Sequence, residues 1–364
     1  MSAAATSPFA RLPGAVGAPP EHYGEPVPEQ RRLAAGRAVV DLSDRGVVTV
    51  TGPDRLSWLD SLTSQAVAKL ASGVSAETLQ LDPSGRIEFA LRVVDDGVTT
   101  WLLVDPGQAE PLAAWLNRMR FMLRVEVADR SAEFATVGAF GDPADLSGDG
   151  VAAAAPNGVP LVWVDPWAAV QPGGWSYARA EHPASDWSYR ELLVERDRLD
   201  AFAALPVAGT LALEALRIAA WRPRLATEVD ATSIPHETDW LRSAVHLAKG
   251  CYRGQETVAK VHNLGHPPRR LVQLHLDGSQ GVLPAPGDEV RLGDTVVGRV
   301  TAAARHHELG PIALAVVKRS TDAAADLVVA TSDGALVAAA QEIVVPPDAG
   351  ATADVPRLKR LGAR

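Results

Sequence analysis

The residues of this chain with the greatest potential for chemistry lie in one octapeptide, which contains the only cysteine: Lys249-Gly250-Cys251-Tyr252-Arg253-Gly254-Gln255-Glu256. Nearby cations favour a thiolate, and so do the free amide groups at a helix N-terminus. Residues 255–261 read as a short helix, so Cys251 is predicted just before such a terminus, beside Lys249 and Arg253. These neighbours favour a functional thiol. A free cysteine is also commonly a small buried hydrophobe, and the residues alone leave both interpretations open.

The other side chains of this motif are suited to holding a ligand. Tyr252 offers a hydroxyl and an aromatic face, Gln255 a planar amide, and Glu256 a carboxylate that accepts N–H donors or caps the helix. Gly250 and Gly254 allow the backbone to bend tightly or to approach a ligand closely. The arrangement suits a flat heterocycle that carries amide groups and an anionic tail.

The surroundings of the motif add positive charge and histidines. Residues 249–270 contain five cations and one acid, a local charge of +4 in a chain whose net charge is −9. This favours an anionic small molecule, with a solvated basic face as the alternative. Upstream, Ile234-Pro235-His236-Glu237 is interpreted as a structural turn that also supplies a titratable pair. A nucleophilic Cys–His pair drawn from the nearby histidines is a further alternative.

Several function classes are excluded by what the sequence lacks. It contains neither G-x-G-x-x-G nor G-x-x-x-x-G-K-[ST], which argues against dinucleotide and P-loop sites. One cysteine cannot alone hold an iron–sulfur cluster or a Cys-x-x-Cys zinc site, so no permanently bound metal is expected. The net charge of −9 argues against direct nucleic-acid binding. Without a signal peptide or an apolar run of ~20 residues, we expect a cytoplasmic protein with no membrane partner.

The order of elements predicts an α+β fold, because strands and helices alternate without regular βαβ spacing. After residue 267 the pattern changes to short strand candidates broken by Gly, Pro and Asp, which predicts a separate antiparallel barrel or sandwich. Aromatic residues are dense between Trp163 and Tyr189, either as core packing or as stacking partners for a flat ligand. The predicted divisions are a disordered tail (1–30), a first α+β domain (31–130), a second α+β domain carrying the motif (131–266), a barrel (267–346) and a loose tail (347–364).

Taken together, these motifs resemble the YgfZ branch of the folate-binding glycine-cleavage T-protein (aminomethyltransferase) superfamily. The cysteine octapeptide carries most of the resemblance. Supporting matches cover most of the chain and are Ile234-Pro235-His236-Glu237, Arg269-Arg270-Leu271, Asp41-Leu42-Ser43-Asp44-Arg45-Gly46, Val50-Thr51-Gly52-Pro53-Asp54 and Leu216-Arg217-Ile218.

The resemblance implies a three-domain ring with a folate-sized channel and a C-terminal antiparallel β-barrel. It implies a tetrahydrofolate-binding protein that supports assembly or repair of iron–sulfur proteins, including tRNA-modifying radical enzymes. The functional cysteine maps onto Cys251, with motif partners Lys249, Tyr252, Gln255 and Glu256. Arg217 falls near the ligand channel, and Trp221, His236 and Glu237 are further candidate folate-binding residues.

Two departures from the superfamily pattern bear on activity. True aminomethyltransferases resemble G-G-I-x-D-D at one strand, where an aspartate acts on aminomethyl transfer; the matching stretch here is Gly85-Arg86-Ile87-Glu88-Phe89-Ala90. Glu88 lies one position early and should face the opposite side from Phe89. Trp221 replaces a common glycine, so its ring either narrows the channel or stacks on the pterin. The leading hypothesis is therefore a non-enzymatic accessory protein, and the alternative is a folate-dependent one-carbon transferase or demethylase with Glu88 or His236 as base.

Overall fold

The computed structural model describes residues 7–142, 145, 151–179, 181–279 and 281–353. Its strands are β1 (Val16–Gly17), β2 (Pro20–His22), β3 (Val39–Leu42), β4 (Gly46–Thr51), β5 (Ser75–Leu81), β6 (Ile87–Asp95), β7 (Thr99–Val104), β8 (Glu126–Asp129), β9 (Phe134–Phe140), β10 (Val162–Val164), β11 (Tyr189–Glu195), β12 (Val207–Ala208), β13 (Arg269–Leu276), β14 (Glu289–Leu292), β15 (Thr295–His306), β16 (Gly310–Lys318), β17 (Leu327–Ala330) and β18 (Leu336–Ile343).

The α-helices are α1 (Pro26–Ala34), α2 (Arg55–Leu62), α3 (Ala109–Met119), α4 (Leu199–Ala203), α5 (Thr210–Ala219), α6 (Leu225–Glu228), α7 (Leu241–Ala244) and α8 (Gln255–Leu264). In the part of the chain that the structure describes, none of the helices is long and apolar enough to cross a membrane.

The first sheet is antiparallel and has the order β5-β6-β7-β4-β8. Its strands β5 and β6 form a hairpin at the turn that Asp82-Pro83-Ser84-Gly85 predicts. The Asp82 carboxylate accepts hydrogen bonds from the amides of Ser84 and Arg86, both at 2.8 Å, and Gly85 adopts a φ of 78°. Helices α2 and α3 pack their apolar side chains against this sheet around a core that includes Trp58, Val48 and Leu112.

The second sheet has the order β10-β11-β9-β3-β12, with only the β3–β12 pair parallel. It therefore combines β3, from near residue 40, with strands that begin after residue 130 and with β12, which precedes α5. Residues 39–42 thus pair within the sheet of the predicted second domain, and the boundary predicted at residue 130 does not separate the two sheets along the chain.

The barrel is closed and antiparallel, in the order β13-β16-β15-β14-β17-β18. Alternate apolar positions such as Val272, Leu274, Val290 and Val317 fill its interior. The predicted α+β class with a C-terminal antiparallel barrel is confirmed.

Both predicted tails are wrong where the structure describes them. At the N-terminal end, residues 7–30 fold into a short 3₁₀ helix, the β1–β2 hairpin and the start of α1, with Phe9 fully buried. At the other end, Ala349 is buried and the Thr352 amide donates to the His262 carbonyl at 3.0 Å, so residues 347–353 pack on the end of α8. Each tail buries apolar side chains that composition alone did not reveal. Residues 1–6 and 354–364 lie outside the described part.

Candidate functional site

A cavity of about 350 Å³ lies where the two sheets face α5. The first sheet contributes Glu77, Ala90 and Arg92, and the second contributes residues of β10 and β11. Its aromatic wall consists of Trp163, Trp187, Tyr189 and Trp240. The volume lies at the lower end of the range for small-molecule sites, and aromatic walls with a few polar groups are typical of such sites.

Glu191 on β11 is the most enclosed acid of the cavity. Its Oε1 accepts a hydrogen bond from the Tyr189 hydroxyl at 3.1 Å and is paired with Arg45 and, at 3.3 Å, with Arg92. Burial raises the pKa of Glu191, but the two guanidinium groups outweigh burial and lower it below its usual range. The side chain is therefore a carboxylate. Its Oε2 has no hydrogen-bond partner among the described residues.

A second ion-pair network is centred on Arg222. The guanidinium binds Glu77 at 2.6 Å and Asp165 at 2.9 Å, while the indole N–H of Trp187 donates to Asp165 at 3.0 Å. Burial raises the pKa of Asp165, and the charge of Glu77 adds to this against the opposing effect of Arg222. Two buried donors of this region, Arg222 Nη1 and Trp240 Nε1, have no hydrogen-bond partner among the described residues.

Arg217, for which the resemblance implies a place near the ligand channel, lines the cavity from α5. Its guanidinium is held by Glu214 and, at 3.0 Å, by Glu228. Burial lowers the pKa of Arg217, but the two carboxylates outweigh it and raise the pKa above its usual value. Because both acids neutralise it, Arg217 shapes the wall but does not offer a free positive charge.

The cysteine motif lies on a loop before α8. Cys251 is exposed, and none of residues 249–256, all of which the structure describes, lines the cavity. Lys249 was expected to favour the thiolate, but its side chain is 3% exposed and donates from Nζ to the backbone carbonyls of Asp60, Thr63 and Gln65. Its charge is thereby committed to the end of α2, so Lys249 anchors the loop rather than activating the thiol.

Gly254 and Tyr252 fix the position of the loop. Gly254 has a φ of 83°, and a Cβ there would lie 2.7 Å from the Asp82 carbonyl oxygen and 2.9 Å from the Cα of Gly85. The motif therefore packs on the β5–β6 turn at a distance that only glycine permits. Tyr252 is buried with the Lys249 ammonium 5.4 Å from the centre of its ring, and burial raises the pKa of its phenol.

The polar end of the motif is less enclosed. Arg253 Nη1 lies 3.6 Å from Glu88 of β6, while Gln255 Nε2 lies 3.4 Å from the Lys249 carbonyl oxygen. Glu256 is exposed in the first turn of α8. Gly250, in contrast to Gly254, has open space where a Cβ would stand. Of the two cations predicted to favour the thiolate, Lys249 and Arg253, only Arg253 lies near the loop surface. Its guanidinium faces the Glu88 carboxylate.

His236 and Glu237, both predicted as ligand-binding residues, are buried outside the cavity lining. The Nε2 of His236 lies 3.0 Å from the carbonyl oxygen of Val258 in α8, and burial lowers its pKa to about 3. Glu237 pairs with Arg269 at 2.7 Å, and burial raises its pKa. Among the described residues no histidine hydrogen-bonds to Cys251. His236 thus connects the 235–238 turn to α8, and Glu237 connects it to β13. These contacts agree with the interpretation of the motif as a structural turn.

Three kinds of similarity place this architecture among known proteins. Residues 269–347 match the family model described as the glycine cleavage T-protein C-terminal barrel domain. An aminomethyltransferase of Symbiobacterium thermophilum is 28% identical over 315 residues, covering 78% of each chain. The glycine cleavage system aminomethyltransferase T of Bartonella henselae superimposes with a TM-score of 0.68 at 17% identity, covering 93% of this chain and 96% of that one. The barrel thus matches that family model, and the whole chain is similar to aminomethyltransferases in sequence and in fold.

A more distant relative is an assembly factor homolog and not a transferase. A mitochondrial iron–sulfur cluster assembly factor homolog of Mycosarcoma maydis is 26% identical over 246 residues, covering 63% of this chain and 55% of that protein. The chain is therefore similar both to aminomethyltransferases and to an iron–sulfur cluster assembly factor homolog.

Strand β6, which carries the stretch compared with the transferase aspartates, has no acid on the cavity wall. Ala90 of β6 lines the cavity, while Phe89 is buried on the opposite face. Glu88 is partly exposed, accepts a hydrogen bond from Gln80 at 2.8 Å and does not line the cavity. The predicted opposition of Glu88 and Phe89 is thus observed, and the residue that faces the cavity carries only a methyl group.

Trp221, a predicted folate-binding residue, is buried outside the cavity lining. Trp221 has a φ of 56°, is 1% exposed and packs against the His182 ring with centroids 5.1 Å apart, but it does not line the cavity. It therefore neither narrows the cavity nor stacks inside it.

Four charged residues of the cavity were not predicted from the sequence, and they are Glu77, Asp165, Glu191 and Arg222. The signal available for them was the density of aromatic residues between Trp163 and Tyr189. The described residues contain no group of three His, Cys, Asp or Glu side chains that could hold a metal ion.

Proposed function

We propose that this protein binds a folate in the cavity and supports the assembly or repair of iron–sulfur proteins, including tRNA-modifying radical enzymes, through Cys251. The observation that carries the proposal is the pairing of an aromatic cavity with Ala90 at the wall position that matches a transferase aspartate. The YgfZ-type octapeptide and the similarity to an iron–sulfur cluster assembly factor homolog support the same branch. The proposal places the protein in the cytoplasm, where its thiol stays reduced.

The side chains of the cavity fit the groups of a folate. A pterin is flat and apolar on its faces, which suits the indoles of Trp163 and Trp187. Its edge carries N–H donors and acceptors. Among the described residues, Glu191 Oε2 has no hydrogen-bond donor, and Arg222 Nη1 and Trp240 Nε1 have no acceptor. Buried polar atoms are normally satisfied, so these orphaned atoms favour a polar ligand. A bound folate would supply one-carbon chemistry, and Glu191 and the indoles would orient it.

The proposed role of Cys251 rests on exposure and on a fixed loop. The thiol is open to solvent and to a partner protein, whereas Lys249 and Gly254 hold the backbone on both sides of it. Because the thiol does not line the cavity, the proposed client protein meets the loop surface and the folate is bound separately. One cysteine provides one ligand, so a cluster contacted here would need its other ligands from the client.

Two measurements test this proposal. Three cavity tryptophans make intrinsic fluorescence a direct probe, and we expect 5-formyltetrahydrofolate to quench it saturably. In a strain lacking the native gene, we expect Cys251→Ala to fail to restore iron–sulfur enzyme activity while Gly250→Ala restores it, since Gly250 has open space for a Cβ. Full restoration by Cys251→Ala would refute the thiol role, and unchanged fluorescence together with no binding heat would refute the folate site.

The second candidate is a folate-dependent aminomethyltransferase or demethylase. It is favoured by the similarity to aminomethyltransferases and by Asp165, a cavity acid whose pKa is raised by burial and which is therefore suited to act as a base. The earlier candidates for the base, Glu88 and His236, do not line the cavity. Incubation with tetrahydrofolate and methylamine donors separates the two functions: methylene-tetrahydrofolate formed at an enzymatic rate would favour the transferase.

A further inference from the structure

The end of α7 is held by the side chains of two neighbouring residues, Ser64 and Gln65. Ser64 Oγ donates a hydrogen bond to the Ala244 carbonyl oxygen at 2.6 Å, and Gln65 Nε2 donates one to the Ser243 carbonyl oxygen at 3.0 Å. Both donor side chains are buried, so water does not compete for these bonds. The position of α7 therefore depends on residues 64–65, which follow α2 in the chain.

The backbone carbonyls of the same two residues hold the cysteine loop, defined here as residues 246–254. The Ser64 carbonyl oxygen accepts a hydrogen bond from the His246 amide at 2.9 Å, and the Gln65 carbonyl oxygen accepts one from Lys249 Nζ at 2.8 Å. Residues 64–65 thus connect α7, through their side chains, to the start of the cysteine loop, through their backbone.

The part of the loop that carries the thiol has few attachments of its own. The amides of Gly250 and Cys251 have no hydrogen-bond acceptor among the described residues, and the Cys251 side chain is exposed. Segments with exposed backbone and few hydrogen bonds open locally at a small cost in free energy. Whether this segment is closed or open therefore depends strongly on the anchors at the start of the loop.

A chain of hydrogen bonds continues from α7 into the cavity. Ser243 Oγ donates to Glu77 Oε2 at 2.6 Å, and Glu77 Oε1 accepts a bond from Arg222 Nη2 at 2.6 Å. Glu77 and Arg222 line the cavity, whereas Ser243 does not. Arg222 Nη1 has no acceptor among the described residues, so a ligand acceptor that binds there acts directly on this chain.

We propose that occupation of the cavity is coupled to closure of the cysteine loop through Glu77, Ser243 and Gln65. The inference rests on the proposed folate site and gives that site a regulatory role. A ligand bonded to Arg222 stabilises the arrangement of Glu77 and Ser243 in which residues 64–65 hold the loop. Contiguous hydrogen-bond networks carry such coupling, and the coupling is reciprocal. A bound folate therefore holds the loop in one position, and release of the loop weakens folate binding by the same factor.

Amide hydrogen exchange measures the coupling at the loop. The readout is the exchange rate of the His246 amide, which is bonded to the Ser64 carbonyl, with and without saturating 5-formyltetrahydrofolate. We expect bound ligand to slow this exchange by about three- to tenfold, because the open loop binds the ligand more weakly. The Gly334 amide, which donates to the Thr331 carbonyl in the β17–β18 turn, is the internal reference and should exchange at an unchanged rate.

Two serine variants locate the path of the coupling. Ser243→Ala removes the bond to Glu77 and should abolish most of the slowing at the loop. Ser233→Ala is the matched control, because Ser233 is similarly buried and its hydroxyl bonds to an acid, Asp230, that does not line the cavity. The control should retain the full slowing.

Fluorescence titration measures the same coupling from the cavity. Lys249 does not line the cavity, yet Lys249→Met should weaken binding of 5-formyltetrahydrofolate by about three- to tenfold, because it releases the loop from Gln65. The titration is made where the melting curve shows the variant to be folded. Lys260→Met, on the exposed face of α8, is the control and should bind as tightly as the unaltered chain.

The outcomes separate the coupling from the folate site itself. Saturable quenching together with unchanged exchange at His246, equal slowing at Gly334, or full slowing in Ser243→Ala would overturn the coupling while leaving folate binding intact. Unchanged affinity in a folded Lys249→Met protein would do the same. Absence of quenching and of binding heat in the unaltered chain would contradict the folate site and this inference with it.

Discussion

Lys249 donates a hydrogen bond from Nζ to the backbone carbonyl oxygen of Thr63 at 2.8 Å. The same ammonium reaches the carbonyls of Asp60 and Gln65 at 2.5 and 2.8 Å and the Asp60 carboxylate at 3.3 Å. Asp60 and Thr63 belong to the last turn and C-cap of α2, where carbonyl groups lack helical partners. A side chain of the cysteine motif thus completes the end of a helix in the first sheet, and this attachment fixes where Cys251 stands.

Replacing Lys249 by Met should destabilise the protein, because three carbonyls lose their donor while the apolar stem is kept. We expect the free energy of unfolding to fall by about 1–3 kcal/mol, the cost of leaving buried polar groups without partners. Urea denaturation measures it. Lys260→Met, on the exposed face of α8, is the matched control and should change stability little. Equal effects of the two substitutions would contradict the anchoring role of Lys249.

The two glycines of the motif should respond differently to alanine. Gly254 has a φ of 83° and no room for a Cβ against Asp82, whereas Gly250 has open space around it. We therefore expect Gly254→Ala to lower the free energy of unfolding by about 1–3 kcal/mol and Gly250→Ala to leave it nearly unchanged. Thermal or urea unfolding of both variants checks this, and similar stabilities would show that the β5–β6 turn can yield to the methyl group.

Local sequence patterns predicted the parts of the fold that local residues determine. Strands β14 and β17 follow from short β-rich runs between turn residues, and α8 follows from the residues after Gly254. The partners of Lys249 could not be predicted, because Thr63 lies 186 residues away and the contact exists only after the sheets have assembled. The resemblance agrees with the similarity to aminomethyltransferases, but the motif that carries it lies on the loop surface and not on the cavity wall.

The cavity acids escaped prediction for the same reason. Glu191 is one of three charged residues in the seven-residue strand β11. Only the pairing of β11 with β9 and the contacts with Arg45 and Arg92 reveal why Glu191 is buried. The folded state of residues 16–25 was missed because a sequence rich in Ala, Pro and Gly predicts disorder. In the structure, the Glu29 carboxylate holds this segment and accepts a hydrogen bond from the Gly209 amide. Long-range contacts, not local propensity, decide both cases.

Glu191→Gln should weaken folate binding strongly. The amide keeps the shape of the side chain but removes the negative charge that an N–H edge would meet, so we expect at least a tenfold loss of affinity in fluorescence titrations, about 1.4 kcal/mol. Glu195→Gln, at the end of the same strand and outside the cavity lining, is the control. Unchanged affinity in a Glu191→Gln protein that melts normally would exclude this carboxylate as a ligand contact.

Acidification should destabilise the protein through His236. Burial lowers the pKa of this histidine from 6.5 to about 3, so the unfolded chain binds its proton more readily than the folded one. The stability that the neutral ring contributes is complete above pH 6.5 and is lost as the pH falls from about 6.5 towards 3. His236→Gln preserves a donor for the Val258 carbonyl but does not titrate. We expect urea unfolding at several pH values to show a shallower decline for His236→Gln than for the unaltered chain, and parallel profiles would contradict this origin of the acid sensitivity.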